Sequence, residues 1–243
     1  MYELHPIVKL GPVHNFCLLL VMSGLVVVGT GLRAGESATT STPTTVVWKL
    51  DKVGPVDGHE PEILGAPQVT EDSVGGRALR FDGGSDGLVY PVNPLANWTT
   101  FTIEVLFMPE VNGSSAQRFM HIEDDGDSRI LMETRIRGGK SWALDTYLHS
   151  ANGKDDCPLL DTTKLHPVGR WAWVALVYDG KMMAHYVNGV REMKGEVVFK
   201  PMTRGRISLG VRLTRVFWFK GCIEEVRLHP TALAPESLQR LPE

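Results

Sequence analysis

The residue types able to hold or act on a ligand gather between positions 104 and 135 and fall at alternating places. Glu104 stands in Phe101–Met108, His121 and Glu123 in Arg118–Glu123, and Glu133 with Arg135 in Arg129–Arg137. Each segment reads as a strand, and residues two apart on a strand project from the same side. His121, Glu123, Glu133 and Arg135 could therefore share a polar face of neighbouring strands, with Glu104 nearby. Such a face could hydrogen-bond sugar hydroxyls, and Trp142 or Tyr147 could stack on a sugar ring. The plainer alternative is a solvated face with cross-strand Glu–Arg pairs, worth tenths of a kcal/mol to about one each. Trp142 aligns with Leu144 and Leu148 and is expected in the core. Glu133 with Glu123 or His121 would also serve glycan cleavage if two carboxylates faced one cleft about 5–9 Å apart.

Other chemistry is poorly served. Histidines 121, 149, 166, 185 and 229 are too scattered for a zinc motif. Asp124, Asp125 and Asp127 surround Gly126 in what reads as a surface turn, without the distal glutamate of an EF-hand loop. No glycine-rich phosphate loop precedes a helix. Asn97-Trp98-Thr99 and Asn112-Gly113-Ser114 are glycosylation sequons, which matter only in a host that glycosylates.

The 243 residues carry 25 basic and 28 acidic side chains, a net charge of -3 that excludes the broad basic field of a nucleic-acid binder. With 43% hydrophobic residues the chain can bury a sizeable core, and three cysteines are too few for a disulfide scaffold. Cys157 and Cys222 could pair in an exported protein, but they lie far apart and no spacing rule joins them; two reduced, buried cysteines are an equal reading.

Residues 1–34 read as an export signal. Lys9 precedes an unbroken apolar run, Phe16 to Val28, which Gly29, Thr30 and Gly31 break. The run is shorter than the about 20 residues of a spanning helix and suits a signal-peptide core. If the signal is not removed, residues 16–32 would be the chain's only contact with a membrane. Residues 35–45 read as a Ser/Thr-rich linker and residues 46–243 as one domain. The place expected for the protein is therefore outside the cytoplasm: secreted, periplasmic or on the cell surface.

From Val46 onward, short apolar runs alternate with Gly, Asn and Asp clusters, the pattern of strands and turns. Strands are expected at Val46–Leu50, Ala78–Phe81, Gly87–Val89, Phe101–Met108, Arg118–Glu123, Arg129–Arg137, Trp142–His149, Trp171–Tyr178, Met182–Val187, Glu196–Phe199, Arg206–Arg212 and Phe219–Leu228. Asp179-Gly180 predicts a hairpin with a type I′ turn. One short helix is expected near Pro235–Leu241. The sum is an all-β, two-sheet antiparallel sandwich. Strict alternation puts Phe119, His121 and Glu123 on one side of their strand, against Met120 and Ile122. Trp171–Tyr178 is apolar on both sides, as in a strand covered twice.

Trp171-Ala-Trp-Val-Ala-Leu-Val-Tyr-Asp-Gly180, followed by Tyr186-Val-Asn-Gly189, resembles the hallmark hairpin of laminin-G-like domains of the concanavalin A-like lectin/glucanase superfamily. Val47-Trp-Lys-Leu-Asp51, Ala78-Leu-Arg-Phe-Asp-Gly83, Phe101-Thr-Ile-Glu104, Ser208-Leu-Gly210 and Phe219-Lys-Gly-Cys-Ile-Glu-Glu-Val-Arg227 with Ala232-Leu233 are similar in the family's order. The resemblance implies a jelly roll over residues 46–241. It leaves the function open, because this fold hosts lectins, hydrolases, lyases and adhesion modules. It also implies a calcium ion tying the first strand to the last, at Asp51 and Glu224, the second usually an aspartate. The family's glycanase pattern Glu-x-Asp-x-x-Glu starts at Glu123 but meets Ser128 at its end, and the lyase pattern Arg-x-Glu-x-Arg has Leu131 in first place.

These observations point to an exported, non-catalytic recognition module. It would bind a glycan or an extracellular protein through Glu104, His121, Glu123, Glu133 and Arg135, while Trp48, Trp171, Trp173 and Phe217 mostly serve the core. A polysaccharide hydrolase or lyase is one alternative, and a structural surface protein the other.

Overall fold

The computed structural model describes residues 44–151 and 155–242. The export signal, most of the linker, the membrane contact at residues 16–32 and the Asn152-Gly153 turn lie outside the described residues. No described helix is long and apolar enough to cross a membrane.

The regular structure of the described chain is almost all strand, arranged in two antiparallel sheets of eight strands each. The first contains β1 (Val46–Lys49), β3 (Gln68–Thr70), β4 (Ala78–Asp82), β6 (Phe101–Pro109), β12 (Ala172–Tyr178), β13 (Met182–Val187), β14 (Val190–Glu196) and β16 (Lys220–His229). Their order is β14-β13-β12-β6-β16-β4-β3, with β1 also on β16. The second contains β2 (Glu62–Leu64), β5 (Gly87–Tyr90), β7 (Ala116–Asp124), β8 (Arg129–Arg137), β9 (Ser141–Ser150), β10 (Asp155–Leu160), β11 (His166–Pro167) and β15 (Gly205–Leu209). Its order is β10-β9-β8-β7-β15-β5-β2, with β11 on β9. Non-consecutive neighbours in both sheets make this a jelly-roll sandwich, the all-β fold expected from the strand pattern.

The core lies between the sheets. Phe101, Ile103, Val105 and Phe107 of β6 meet Ile130 and Met132 of β8 and Trp142, Leu144 and Leu148 of β9, each set at period two. Phe107 stacks on Phe119 with ring centres 4.5 Å apart, and Trp142 meets Phe107 edge-on at 5.0 Å. Trp142 is thus a core residue, not a sugar platform. One polar bridge crosses this interior: His185 Nδ1 of β13 and Thr146 Oγ1 of β9 are 2.9 Å apart.

The outer side of the first sheet is covered as well. Ala175, Val177 and Tyr186 pack under Leu238, with Ala232 and Leu233 beside it. This explains why β12 is apolar on both faces. The expected helix here is only a 3-10 turn, Pro235–Ser237. Leu238 takes extended backbone at φ -72°, ψ 146°, which lets the tail lie along the sheet and bury that side chain.

The edge strands differ from expectation: β2, β3, β10 and the short β11 lie where no strand is expected, and β14 is displaced. β14 runs over Val190–Glu196 rather than Glu196–Phe199; Val197 and Phe199 follow it into the core without joining the ladder. β10 contains Pro158, and proline is tolerated there because an edge leaves one side of the strand unpaired. Asp179-Gly180 does turn the chain between β12 and β13, but only Gly180 has positive φ (99°). Asp179 caps the turn instead, accepting the N–H groups of Lys181 and Met182 at 2.9 and 2.7 Å. The type I′ pattern occurs at Asn188 (φ 45°) and Gly189 (φ 77°), between β13 and β14.

Candidate functional site

The outward side chains of β7, β8 and β9 form a largely polar field on the second sheet, interrupted by Leu131. Register aligns Arg118 with Glu133 and Glu133 with Asp145 in one row, and His121 with Leu131 and Leu131 with Tyr147 in the next. The third row runs through Arg206, Glu123, Arg129 and His149. His121, Glu123, Glu133 and Arg135 therefore do share one face, but His121 is fully buried in it and neither His121 nor Glu123 lines the hollow that Glu133 and Arg135 help to form.

A bulge in β7 changes who faces outward. The pairing of β7 with β8 shifts between Arg118 and Met120, so Phe119 and Met120 both enter the core and Arg118 is turned out. Strict alternation puts Phe119 beside His121. A single extra residue reverses that assignment and supplies a guanidinium in its stead.

Residues 210–218 are tied to this bulge and wall the face. Gly210 N–H donates to Phe119 O at 3.0 Å, and Arg118 N–H to Phe217 O at 2.9 Å. Gly210 has φ 80°, and a Cβ there would lie 2.3 Å from the Phe81 ring, so the turn into the loop requires glycine. Arg215 (φ 58°) and Phe217 (φ 59°) adopt the same left-handed backbone with full side chains, at a cost of roughly 1–3 kcal/mol each. Two contacts hold them: Arg215 Nη2 is 2.5 Å from Glu62 Oε1, and Phe217 lies under the Arg118 guanidinium at 3.7 Å. Phe217 is thus half exposed beside the site and not in the core, unlike Trp48, which is buried. Trp171 packs partly buried against Cys222, and Trp173 is buried on the outer side of the first sheet beneath Arg227.

An open hollow of about 410 Å3 on this face is lined by Arg118, Arg129, Leu131, Glu133, Arg135, Asp145, Tyr147, Pro158 and Leu160, with Arg212 as the loop's contribution. Glu133 is gripped from both sides: Arg118 Nε lies 2.5 Å from Oε1 and Arg135 Nη2 lies 3.1 Å from Oε2. Arg135 Nε also holds Asp145 Oδ2 at 2.5 Å. At the edge, Arg129 pairs with Asp127 at 2.6 Å, and Tyr147 O–H donates to Asp156 Oδ1 at 2.6 Å. Alternation in sequence reaches Glu133 and Arg135. It misses Arg118, hidden by the bulge, Asp145, which faces out two residues before Tyr147, and Arg212, brought in by a distant loop.

Burial dominates the ionisation of the site. It pushes the Glu133 carboxyl up to about 7, against the pull of Arg118 and Arg135. It takes His121 down to about 3, helped by Arg212, Arg129 and Arg118. His121 is therefore neutral, and its tautomer is fixed: Leu213 N–H donates to Nδ1 at 3.1 Å, which leaves the proton on Nε2, 3.4 Å from Glu123 Oε2.

Glu104 is not part of this face. It belongs to β6 in the other sheet, where its carboxylate accepts Gln239 N–H at 2.6 Å and lies 2.9 Å from His229 Nε2. Its work is to fasten the C-terminal tail. Asp124 is likewise a turn-former, accepting the N–H groups of Gly126, Ser128 and Thr203 at 2.9, 2.9 and 3.1 Å.

Cys157 and Cys222 are unpaired. Cys157 points between the sheets, whereas Cys222 sits on the outer side of the first sheet with Ala78 and Met108. Burial pushes the Cys222 thiol up to about 12.

Asp51 and Glu224 line one hollow with Lys49, Gly75, Gly76 and Arg77. Calcium needs six to eight oxygens, roughly, with its charge matched by carboxylates. Here only two carboxylates are at hand, beside Lys49 and Arg77, which pair with Glu225 and Glu71, and Glu224 Oε2 already accepts Val74 N–H at 2.7 Å. Among the described residues no group of three His, Cys, Asp or Glu is placed to hold a metal. The donor set does not fit the ion.

A family model described as Laminin_G_3, concanavalin A-like lectin/glucanases superfamily, matches residues 82–239. Among solved structures, domain 4 of AbnA, a GH43 extracellular arabinanase from Geobacillus stearothermophilus in complex with arabinotriose, aligns with a TM-score of 0.60 and 19% identity over 79% of this chain and 95% of that chain. The binding domain of Paraclostridial Mosquitocidal Protein 1 aligns with a TM-score of 0.60 and 12% identity over 79% of this chain and 49% of that one. The botulinum neurotoxin serotype D ligand-binding domain in complex with N-acetylneuraminic acid gives 0.58 and 14% over 79% and 48%. This chain spans about half the length of those two toxin chains. At such identities the likeness is one of fold. No curated protein matches the chain in sequence.

Proposed function

The chain belongs to the concanavalin A-like lectin/glucanase superfamily, and on that premise we propose that it is a non-catalytic module that recognises a glycan through the outer face of β7, β8 and β9. The observation that carries this reading is the open hollow bordered by Arg212 of the 210–218 loop, where fixed donors and acceptors converge beside the half-buried Tyr147 ring. Sugars are bound by such a mixture: oriented hydrogen bonds to hydroxyls, with an aromatic face for the ring. Two structures of the same fold are complexes with sugars, arabinotriose and N-acetylneuraminic acid.

Catalysis is the weaker reading. The raised ionisation of Glu133 is what a general acid needs. Yet both of its oxygens are taken by arginines and Asp145 is clasped by Arg135, so neither carboxylate is free to attack or to give a proton to a substrate. Export through residues 1–34 belongs to the same proposal, since glycan polymers are met outside the cell.

Affinity electrophoresis of the full chain through gels cast with single polysaccharides tests the reading. Retardation by at least one polymer, with no reducing ends released, is the expected result. Retardation by none would sink it, and a cleared track in the polymer would replace it with catalysis.

A further inference from the structure

Charge in the hollow does not balance. Arg118 and Arg135 are matched by Glu133 and Asp145, and Arg129 by Asp127. Arg212 arrives from the wall loop with no ion-pair partner among the described residues. Hydrogen bonding does not balance either. Arg118 Nη1, Arg129 Nε and Arg212 Nε are buried and have no acceptor, and Arg118 is only 9% exposed.

Buried donors are nearly always satisfied, and charged ones most of all, because leaving them bare forfeits their hydration without return. All three belong to arginines that line one hollow, so the protein itself leaves these guanidinium groups under-satisfied and acceptor atoms entering the hollow can complete them. A sugar hydroxyl would satisfy one nitrogen but leave the surplus charge unmatched. A group with two or three oxygens and a negative charge meets both needs, since guanidinium pairs best with carboxylate, phosphate or sulfate oxygens. The neutral state of His121 agrees, for its ring resists a proton partly because Arg212, Arg129 and Arg118 surround it.

We infer that the hollow receives the anionic substituent of its ligand, a carboxylate or sulfate carried on an acidic sugar, with Arg118, Arg129 and Arg212 as its donors. This deepens the glycan reading and rests on it.

The test uses the full chain in gels cast with polygalacturonate, dextran sulfate, arabinan or dextran, and poly-glutamate as a carboxylate polymer without sugar. Retardation by polygalacturonate, dextran sulfate or both is expected, and which of the two retards assigns carboxylate or sulfate. Arg212→Gln should weaken that binding by about tenfold, one charged hydrogen-bonding group being lost, while the melting temperature stays put because Arg212 holds no ion pair. Arg204→Gln, at a 93% exposed side chain outside the hollow, should change nothing. Equal loss in both variants would mean diffuse surface charge and overturn the site. Retardation by arabinan or dextran alone would overturn the anion and leave the glycan reading standing. Arg212-dependent binding of poly-glutamate without either acidic polysaccharide would keep the anion and overturn the glycan. Retardation by nothing would overturn both.

Discussion

The Arg118 guanidinium lies 3.7 Å above the centre of the Phe217 ring, while Arg118 N–H donates to Phe217 O at 2.9 Å. A residue of β7 thus grips a residue of the 210–218 loop by side chain and backbone together. The grip does two things: it holds Phe217 in left-handed backbone, and it fixes Arg118 against Glu133 at the floor of the hollow.

Phe217→Ala removes the ring and leaves the backbone strained. It should cost about 0.5–1 kcal/mol of stability from the lost cation–π contact, read by urea unfolding. Phe217→Gly also loses the ring but relieves the left-handed strain, so it should unfold at higher urea than the alanine variant. The reverse order would show that the strain is not real.

Glu104→Ala should loosen the C-terminal tail and not the ligand face. It strands Gln239 N–H and frees His229 Nε2, a loss of roughly 1–3 kcal/mol for buried partners left unsatisfied. Hydrogen exchange over residues 230–241 should quicken while polysaccharide retardation stays as in the unchanged protein. Loss of retardation with an intact tail would return Glu104 to the binding face.

Burial holds His185 down at about 4. The unfolded ring takes its proton near pH 6.5, the folded one only near 4, so the stability that His185 contributes is complete above about pH 6.5 and is lost as pH falls towards 4. His185→Gln keeps a partner for Thr146 and cannot titrate. The stability of the native protein relative to this variant should drop by about 3 kcal/mol between pH 6.5 and 4, each tenfold difference in proton affinity between folded and unfolded ring being worth roughly 1.4 kcal/mol. Glu133 is present in both proteins and works in the opposite sense, its raised ionisation stabilising the fold as pH falls from 7 towards 4.5, so the comparison cancels it. A pH-independent difference would place His185 in contact with solvent.

Adding a calcium chelator should leave the melting temperature unchanged, because Asp51 and Glu224 share their hollow with Lys49 and Arg77. Glu224→Ala should lower it, since the carboxylate itself accepts Val74 N–H and ties that loop to the last strand. A chelator-sensitive melting curve would reinstate the ion.

By itself the sequence determined the class of fold, most of the strands and one strip of the site. Period-two alternation is a local property, and it placed Arg129, Leu131, Glu133 and Arg135 together on β8 because nothing interrupts that strand. It failed at the short or edge strands β2, β3, β10, β11 and β14, which carry too few apolar residues to stand out. Tertiary structure decided the rest. The bulge at Arg118 answers to the register of β8 and to the loop docked on Phe119, neither of which is written in β7. Glu104, although near His121 in sequence, went to the opposite sheet because strand order in a jelly roll is not chain order. Arg212 reached Arg118 across more than ninety residues for the same reason. Which way a side chain points is set by its neighbours along the chain; which side chains it meets is set by strand pairing, and pairing is fixed only when both sheets close on their common core.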